Sequence, residues 1–600
     1  MKQLIFVFCF IILINLISEE AHGQNILPPV VVWSGNSEKL IVDSDNPWIT
    51  PAEKDDFIFT PDYNATVSYL KTLSGASDLI SLKEIGKSAQ NRPILMVIAS
   101  SEVEMHNGQN PIGLKPKIMI QAGIHAGEID GKDAGLMLLR DIAFGGKSAL
   151  LDKVNFIFIP ILSVDAHENA SPFNRPNQRG PENMGWRTNA KNLNLNRDYT
   201  KLETEGLQAA VRVMSTYKPI FFADIHVTDG ADYQYDITYG FKKKNAYSKG
   251  IAQWLETNFQ PEVNRGLSME GHFPGPLIFS FKSDDFSNGI IDYYLPLRFS
   301  DAYGDARHIP SVLVENHSLK PYKQRVLGSY VFIENSIKTI AGKLDELLET
   351  IHNDRTLKRD SIPLSFGFSE IQKDSIALDI IQSRRDSSLI TNQRYTTWTG
   401  EPKTVTVPHI KMDDPLEITK IPTAYWIPVE WTEVIEKLKL HGIQMEIVEQ
   451  NVEKELAQYM INEYEIDPRP NEGHFRFKTL DLVQITRVMK LHPGSVRIST
   501  DQDLAVLISL LLEPKAPDSF FQWGYFNTIL SRTEYIESYV MEPLISQMLK
   551  EDTDLRLRFE KMKRQDKKFA DNPRKIMEWF YAKTPYFDKN WKLIPIGIEY

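Results

Sequence analysis

The stretch Ile118–Leu139, "IMIQAGIHAGEIDGKDAGLMLL", fixes the class of fold. Lys117 to Ala122 reads as a buried strand, and Lys132 to Arg140 has the apolar spacing of a helix. Between them the chain leaves the strand through Gly123 and at once presents His125 and Glu128. A polar pair in the turn after a strand is where open α/β sheets hold their ligands.

Outward from this stretch, the pattern repeats. Ile94–Ala99, Val154–Ile159, Pro219–Ile225 and Ser311–Val314 are apolar runs of strand length, separated by helical patterns, and Ser329–Leu348 has the periodicity of a closing helix. Near-continuous apolar runs bounded by Gly or Pro are strands covered on both faces. The expected organisation is a lead-in at 24–55, an α/β domain at 56–352, a charged linker at 353–364 within "HNDRTLKRDS", a β-rich or α+β accessory region at 365–469 and a C-terminal α+β region at 470–600. Ahead of these, Met1-Lys2, the apolar run Leu4–Leu16 and Ala21-His22-Gly23 have the form of a cleavable secretory signal over 1–23. The expected location is therefore secreted or periplasmic. The single cysteine, Cys9, falls inside that signal, so the mature chain is expected to lack disulfide and thiolate chemistry. A formal charge of −11 argues against a nucleic-acid partner. No later apolar run reaches the roughly 18 residues of a membrane span.

Two further strand ends carry unusual residues. "KPIFFADIHVTDG" (218–230) ends its apolar run at Asp224 and His226, and "PSVLVENHS" (310–318) ends at Glu315. Three such ends bring these side chains to one edge of one sheet. Two histidines, a carboxylate and a second, free carboxylate suit zinc hydrolysis. Zinc takes such ligands at about 2.0–2.2 Å and keeps a position for water; that water's pKa falls to about 7, and the free carboxylate takes its proton. The helical H-E-x-x-H pattern of other zinc proteases does not occur. "GWRTNAKNLNLNRDY" (185–199) adds Arg187, Asn196 and Arg197 in a Gly/Asn-rich loop. A guanidinium forks onto a carboxylate, so an Asn-Arg pair there suits a substrate with a free carboxylate end.

With "EIGKSAQNRPI", "GIHAGEIDG", "PILSVDAHEN", "WRTN", "NLNRDY", "DIHVTDG" and "IPSVLVENH" in this order, residues 80 to 320 resemble the M14 zinc carboxypeptidases. The resemblance covers about half the chain. It implies an α/β fold with a mixed, mostly parallel central sheet and helices on both faces, followed here by the C-terminal α+β region. It implies one zinc ion on His125, Glu128 and His226, with Glu315 as the base, Arg187 on the oxyanion, and Asn196 and Arg197 on the substrate's terminal carboxylate. The family's substrate-capping tyrosine falls at Tyr293–Tyr294, of which Tyr294 is the candidate, and the position setting side-chain preference falls near Ser300. One departure is Asn194, where the family often has an aspartate orienting a zinc-bound histidine; its amide oxygen still accepts an imidazole N–H but polarises it less. The implied activity is that of an exported zinc metallocarboxypeptidase cleaving the C-terminal amide bond of peptide-like substrates. Two alternatives stay open: a zinc amidohydrolase of the same fold acting on cell-wall peptides or N-acyl amino acids, and a catalytically inactive binding protein whose last 250 residues do the work. The sequence sets no oligomeric state.

Overall fold

The computed structural model describes residues 26–102, 114–282, 284–369, 374–532 and 534–600; the expected signal segment and Cys9 lie outside the described residues. Ten strands build the first half: β1 Ile80–Lys87, β2 Pro93–Ala99, β3 Lys117–Ala122, β4 Asn155–Ile159, β5 Phe221–Val227, β6 Ile237–Gly240, β7 Pro274–Pro276, β8 Ser280–Lys282, β9 Asp285–Asp292 and β10 Ser311–Asn316. Eight of them form one sheet in the order β1-β2-β4-β3-β5-β10-β6-β7. Its centre, β4-β3-β5-β10, is parallel. Antiparallel pairs flank it, β1–β2 and β2–β4 on one side and β10–β6 on the other. This is the mixed, mostly parallel sheet expected from the sequence.

Both faces are covered, which is why the strands read as continuous apolar runs. Successive side chains of a strand point to opposite faces. On β3, Ile118, Ile120 and Ala122 join one core with Leu136 and Leu139 of helix α1 (Asp130–Ala143), while Met119 joins the other with Leu207 and Met214 of helix α2 (Glu205–Tyr217). Helix α3 (Tyr322–Gly342) lies on the α1 side through Val326, Leu327 and Ile333. The glycines of α1 let it sit close to the sheet: a Cβ on Gly135 would come within 2.1 Å of the Phe158 ring, and one on Gly131 within 2.9 Å of Ile225.

The second half departs from the expected division in two places. The expected linker at 353–364 is largely structured, because the helix Leu344–Thr356 runs into it and the strand Ser361–Gly367 begins inside it, pairing with Asp414–Lys420. The boundary expected at 469/470 falls in the turn of one long hairpin, Val452–Ile466 with Phe477–Leu491. That hairpin belongs to a six-stranded sheet that also takes in Ala424–Ile427 and the last strand, Gly597–Glu599. Pairing between segments this far apart leaves no local periodicity to read. A second hairpin, Asp374–Ser387 with Arg394–Lys411, continues from β9 in parallel register, so the accessory region extends a sheet begun by the first domain. The two halves also share apolar core: Met214 and Tyr303 belong to the same cluster as Tyr425, Leu438, Leu511 and Phe520.

Polar contacts hold the 452–491 hairpin's turn against the first domain. His474 Nε2 lies 2.8 Å from Glu203 Oε1, and the Tyr525 hydroxyl donates to the same oxygen at 2.6 Å. Burial raises the Glu203 pKa, but the His474 and Tyr525 hydrogen bonds outweigh it and bring it down to about 2. A depressed carboxylate stabilises the fold fully above its unfolded value near 4.5 and progressively less as pH falls towards 2. Glu203→Gln should therefore flatten the acid limb of a melting-temperature profile between about pH 4.5 and 2. Gly135→Ala should cost about 1–3 kcal/mol in denaturant unfolding through overpacking, although the same change in an open helix stabilises by about 1 kcal/mol.

Candidate metal and catalytic site

Gly123 leaves β3 with φ +66°, a left-handed turn that a side chain would strain. The Glu128 N–H then donates to the His125 carbonyl at 2.9 Å, closing a turn that aims both side chains the same way just before α1 begins. From the next parallel strand, β5, comes His226, and β10 pairs Glu315 directly opposite it. The Glu128 carboxylate lies between the two rings, with Oε1 3.1 Å from His125 Nδ1 and Oε2 2.9 Å from His226 Nδ1. Oε2 also accepts the Val227 N–H at 3.1 Å. The ligand-capable atoms of His125, Glu128 and His226 all lie within 4.8 Å of one another.

The residues fit a bound cation. His125 Nδ1 is buried and faces Glu128 Oε1 and the space between the three groups. The far ring nitrogens are held from behind: His125 Nε2 lies 2.9 Å from Asn194 Oδ1, and His226 Nε2 lies 3.1 Å from Asp224 Oδ2. Asp224 is itself fixed by the Gln121 amide, 3.0 Å from its Oδ1. Two imidazoles and a carboxylate, oriented by outer partners and facing a cavity, are a donor set that could hold a metal ion such as zinc. Burial pushes His125 down to about 4, keeping it neutral. Burial also acts against a charged His226, but Asp224 and Glu128 beside it pull its pKa up. Burial alone would raise Glu128; the neighbouring His125, Arg175 and His226 hold it as a carboxylate. A dication bound at both Nδ1 atoms favours the neutral form of either ring.

Around this centre a cavity of about 200 Å³ is lined by His125, Glu128, Arg187, Asn196, Arg197 and Glu315, among others. Glu315 Oε2 and Asn196 Oδ1 are buried without hydrogen-bond partners. Burial pushes Glu315 up to about 8, helped by Glu128 and Asp229 and opposed by His226 and Arg187. Arg187 reaches Glu128 Oε1 at 3.2 Å. Arg197 packs 4.3 Å over the Phe299 ring; burial and the nearby Arg187 and Arg298 lower its pKa to about 10, which still leaves it charged at neutral pH.

Sequence reasoning missed Arg175, whose Nη2 lies 3.0 Å from Glu128 Oε1 and 3.7 Å from Asp229. It comes from an irregular loop with no periodic signal. The one clue was Gly127 between the two turn residues: a Cβ there would meet the Arg175 stem at 2.7 Å. Tyr294, the candidate capping residue, is not among the cavity's lining residues. Its side chain is buried against Phe366 at 5.1 Å, with Lys242 5.0 Å from its ring. The reason is tertiary: pairing of β9 with Arg394–Lys411 fixes this segment, and the strand Ser361–Gly367, which carries Phe366, covers it. Ser300 is likewise buried, at the start of the helix Ser300–Ala306.

Residues 66–238 match the family model described as zinc carboxypeptidase, peptidase M14. The match takes in His125, Glu128, Arg187, Asn196, Arg197 and His226 and ends before Glu315. "Carboxypeptidase 2" of Trichophyton rubrum is 22% identical over 479 residues, 76% of this chain and 82% of that protein. "Probable carboxypeptidase 2" of Arthroderma benhamiae is 20% identical over 68% of this chain and 76% of its own length. Among solved structures, a putative carboxypeptidase A from Shewanella denitrificans is 20% identical, covering 48% of this chain and 71% of that one, with a TM-score of 0.36. Outer-shell partners of zinc ligands are typically worth 10–100-fold in metal affinity. Asp224→Ala should accordingly weaken zinc binding by about 10–100-fold in chelator competition, with the fold retained by circular dichroism.

Proposed function

We propose that this chain, a metallopeptidase whose residues 66–238 carry a zinc carboxypeptidase domain, is an exported enzyme that uses one zinc ion to release the C-terminal residue of peptide-like substrates. The observation that carries the reading is the convergence of His125, Glu128 and His226, with Glu315 beside His226 and Arg187, Asn196 and Arg197 on the walls of the same cavity. Export follows the signal-like segment at 1–23, and among the described residues no helix is long and apolar enough to cross a membrane.

His125, Glu128 and His226 would hold the zinc, which would supply Lewis-acid polarisation of the scissile carbonyl and a water of lowered pKa. Arg197, with the Asn196 amide, forks onto the substrate's terminal carboxylate and sets which amide bond faces Glu315. The Arg197 guanidinium is held in place by the Phe299 ring, 4.3 Å away, and by donation from Nη1 to the Asn196 carbonyl at 2.6 Å. Glu315 takes a proton from the attacking water at Oε2 as the C–O bond forms. It returns that proton to the amine nitrogen as the C–N bond breaks. Burial suits it to both steps, because a carboxyl whose pKa lies near working pH gains and loses a proton readily. Arg187 donates to the oxyanion that develops on the carbonyl oxygen, a contact typically worth about 3–4 kcal/mol of barrier.

Glu315→Gln should keep its zinc and lose about 10²–10⁴-fold in kcat, read as C-terminal residues released from a peptide panel by mass spectrometry alongside metal content. Amidating the C-termini of the same peptides should abolish release. A Gln variant as fast as the parent would remove Glu315 from the mechanism.

A further inference from the structure

Asn194 occupies a junction in the site. Its side-chain oxygen lies 2.9 Å from His125 Nε2 and accepts the Asn196 N–H at 3.0 Å, capping the short turn Leu195–Arg197 that carries Asn196 and Arg197. The position of this one residue therefore governs both a metal ligand and the carboxylate-binding pair. The Asn194 N–H donates at 2.8 Å to the Glu472 carboxylate, 278 positions away in the turn of the 452–491 hairpin. Glu472 has φ +48° and Gly473 φ +82°. A non-glycine residue in that region is strained and persists where its surroundings demand it. The neighbours lock the turn: Asn471 bridges to His474, His474 reaches Glu203, and the His474 ring packs 5.7 Å from both Trp523 and Tyr525. The Glu472 charge also acts on the Arg197 guanidinium.

We propose that Glu472 is a positioning residue of the active site, a carboxylate brought in by the C-terminal half to fix Asn194 and, through it, the His125 ring and the Asn196–Arg197 turn. This depends on the metal-site reading above. An amide oxygen polarises a ligand imidazole less than a carboxylate does, so the hold on His125 depends more on where that oxygen sits. Removing Glu472 leaves the Asn194 N–H, which belongs to a buried residue, without its carboxylate acceptor, and the turn then shifts to find another. The C-terminal half thereby acquires a role in the site without contacting substrate.

The test uses the full chain loaded with zinc. Glu472→Ala should weaken zinc binding by about 3–10-fold in chelator competition, one step less than loss of a direct ring partner. It should also raise KM for carboxylate-ended peptides by a similar factor. Glu472→Gln keeps an acceptor oxygen and should restore both to within about twofold of the parent. Asn471→Ala, which keeps the backbone bridge to His474 and removes only a side chain of the same turn, should leave both unchanged. Parental zinc affinity and KM in Glu472→Ala would overturn the proposal, as would an equal loss in Asn471→Ala. Because zinc affinity is read without turnover, a parent that binds zinc but releases no residues would refute the proposed activity while leaving the Glu472 result standing.

Discussion

A single buried carboxylate sets the terms for the whole site. Glu128 lies buried between two imidazoles, and an isolated charge there would be neutralised by taking up a proton. It stays ionised because His125, His226, Arg175 and the Val227 N–H all converge on it. Those groups come from three separate places, the turn after β3, strand β5 and the irregular loop carrying Arg175, so the sheet order, the glycine-rich turn and that loop must all be correct before the centre can form. Local electrostatics here depends on global topology.

The topology answers that demand economically. Parallel neighbours β3, β5 and β10 end at the same edge, and the His226–Glu315 register puts a proposed metal ligand beside the proposed base without any further device. Behind them, Gln121 and Asp224 occupy paired positions on β3 and β5, so the ladder that builds the sheet also orients the His226 ring. Close approach of α1, made possible by Gly131 and Gly135, keeps the turn carrying His125 and Glu128 against the strand ends.

The C-terminal half belongs to the same mechanical unit. Its apolar core is continuous with that of the first domain, its hairpin extends a sheet that β9 begins, and its other hairpin places Glu472 on the Asn194 turn. The same arrangement explains why Tyr294 is packed away from the cavity: the segment that would have to move is pinned between strands of the accessory region.

The sequence alone determined the α/β class, the buried character of the central strands and the positions of His125, Glu128, His226 and Glu315 at strand ends, because these are properties of local periodicity and of residue type at a strand terminus. Arg187, Asn196 and Arg197 were legible as a charged pattern in a loop, and Asn194 as a departure within it. Arg175, Asp229 and Glu472 carried no such signal, since an arginine or glutamate in irregular chain looks the same whether it faces solvent or a buried charge. The packing of Tyr294 against Phe366 was illegible for a related reason: spacing along the chain cannot register the strands that cover it. Tertiary structure decided these matters, because pairings across tens to hundreds of positions, such as Asn194 with Glu472 or β9 with Arg394–Lys411, are made by strands and turns whose own sequences specify a shape but not a partner.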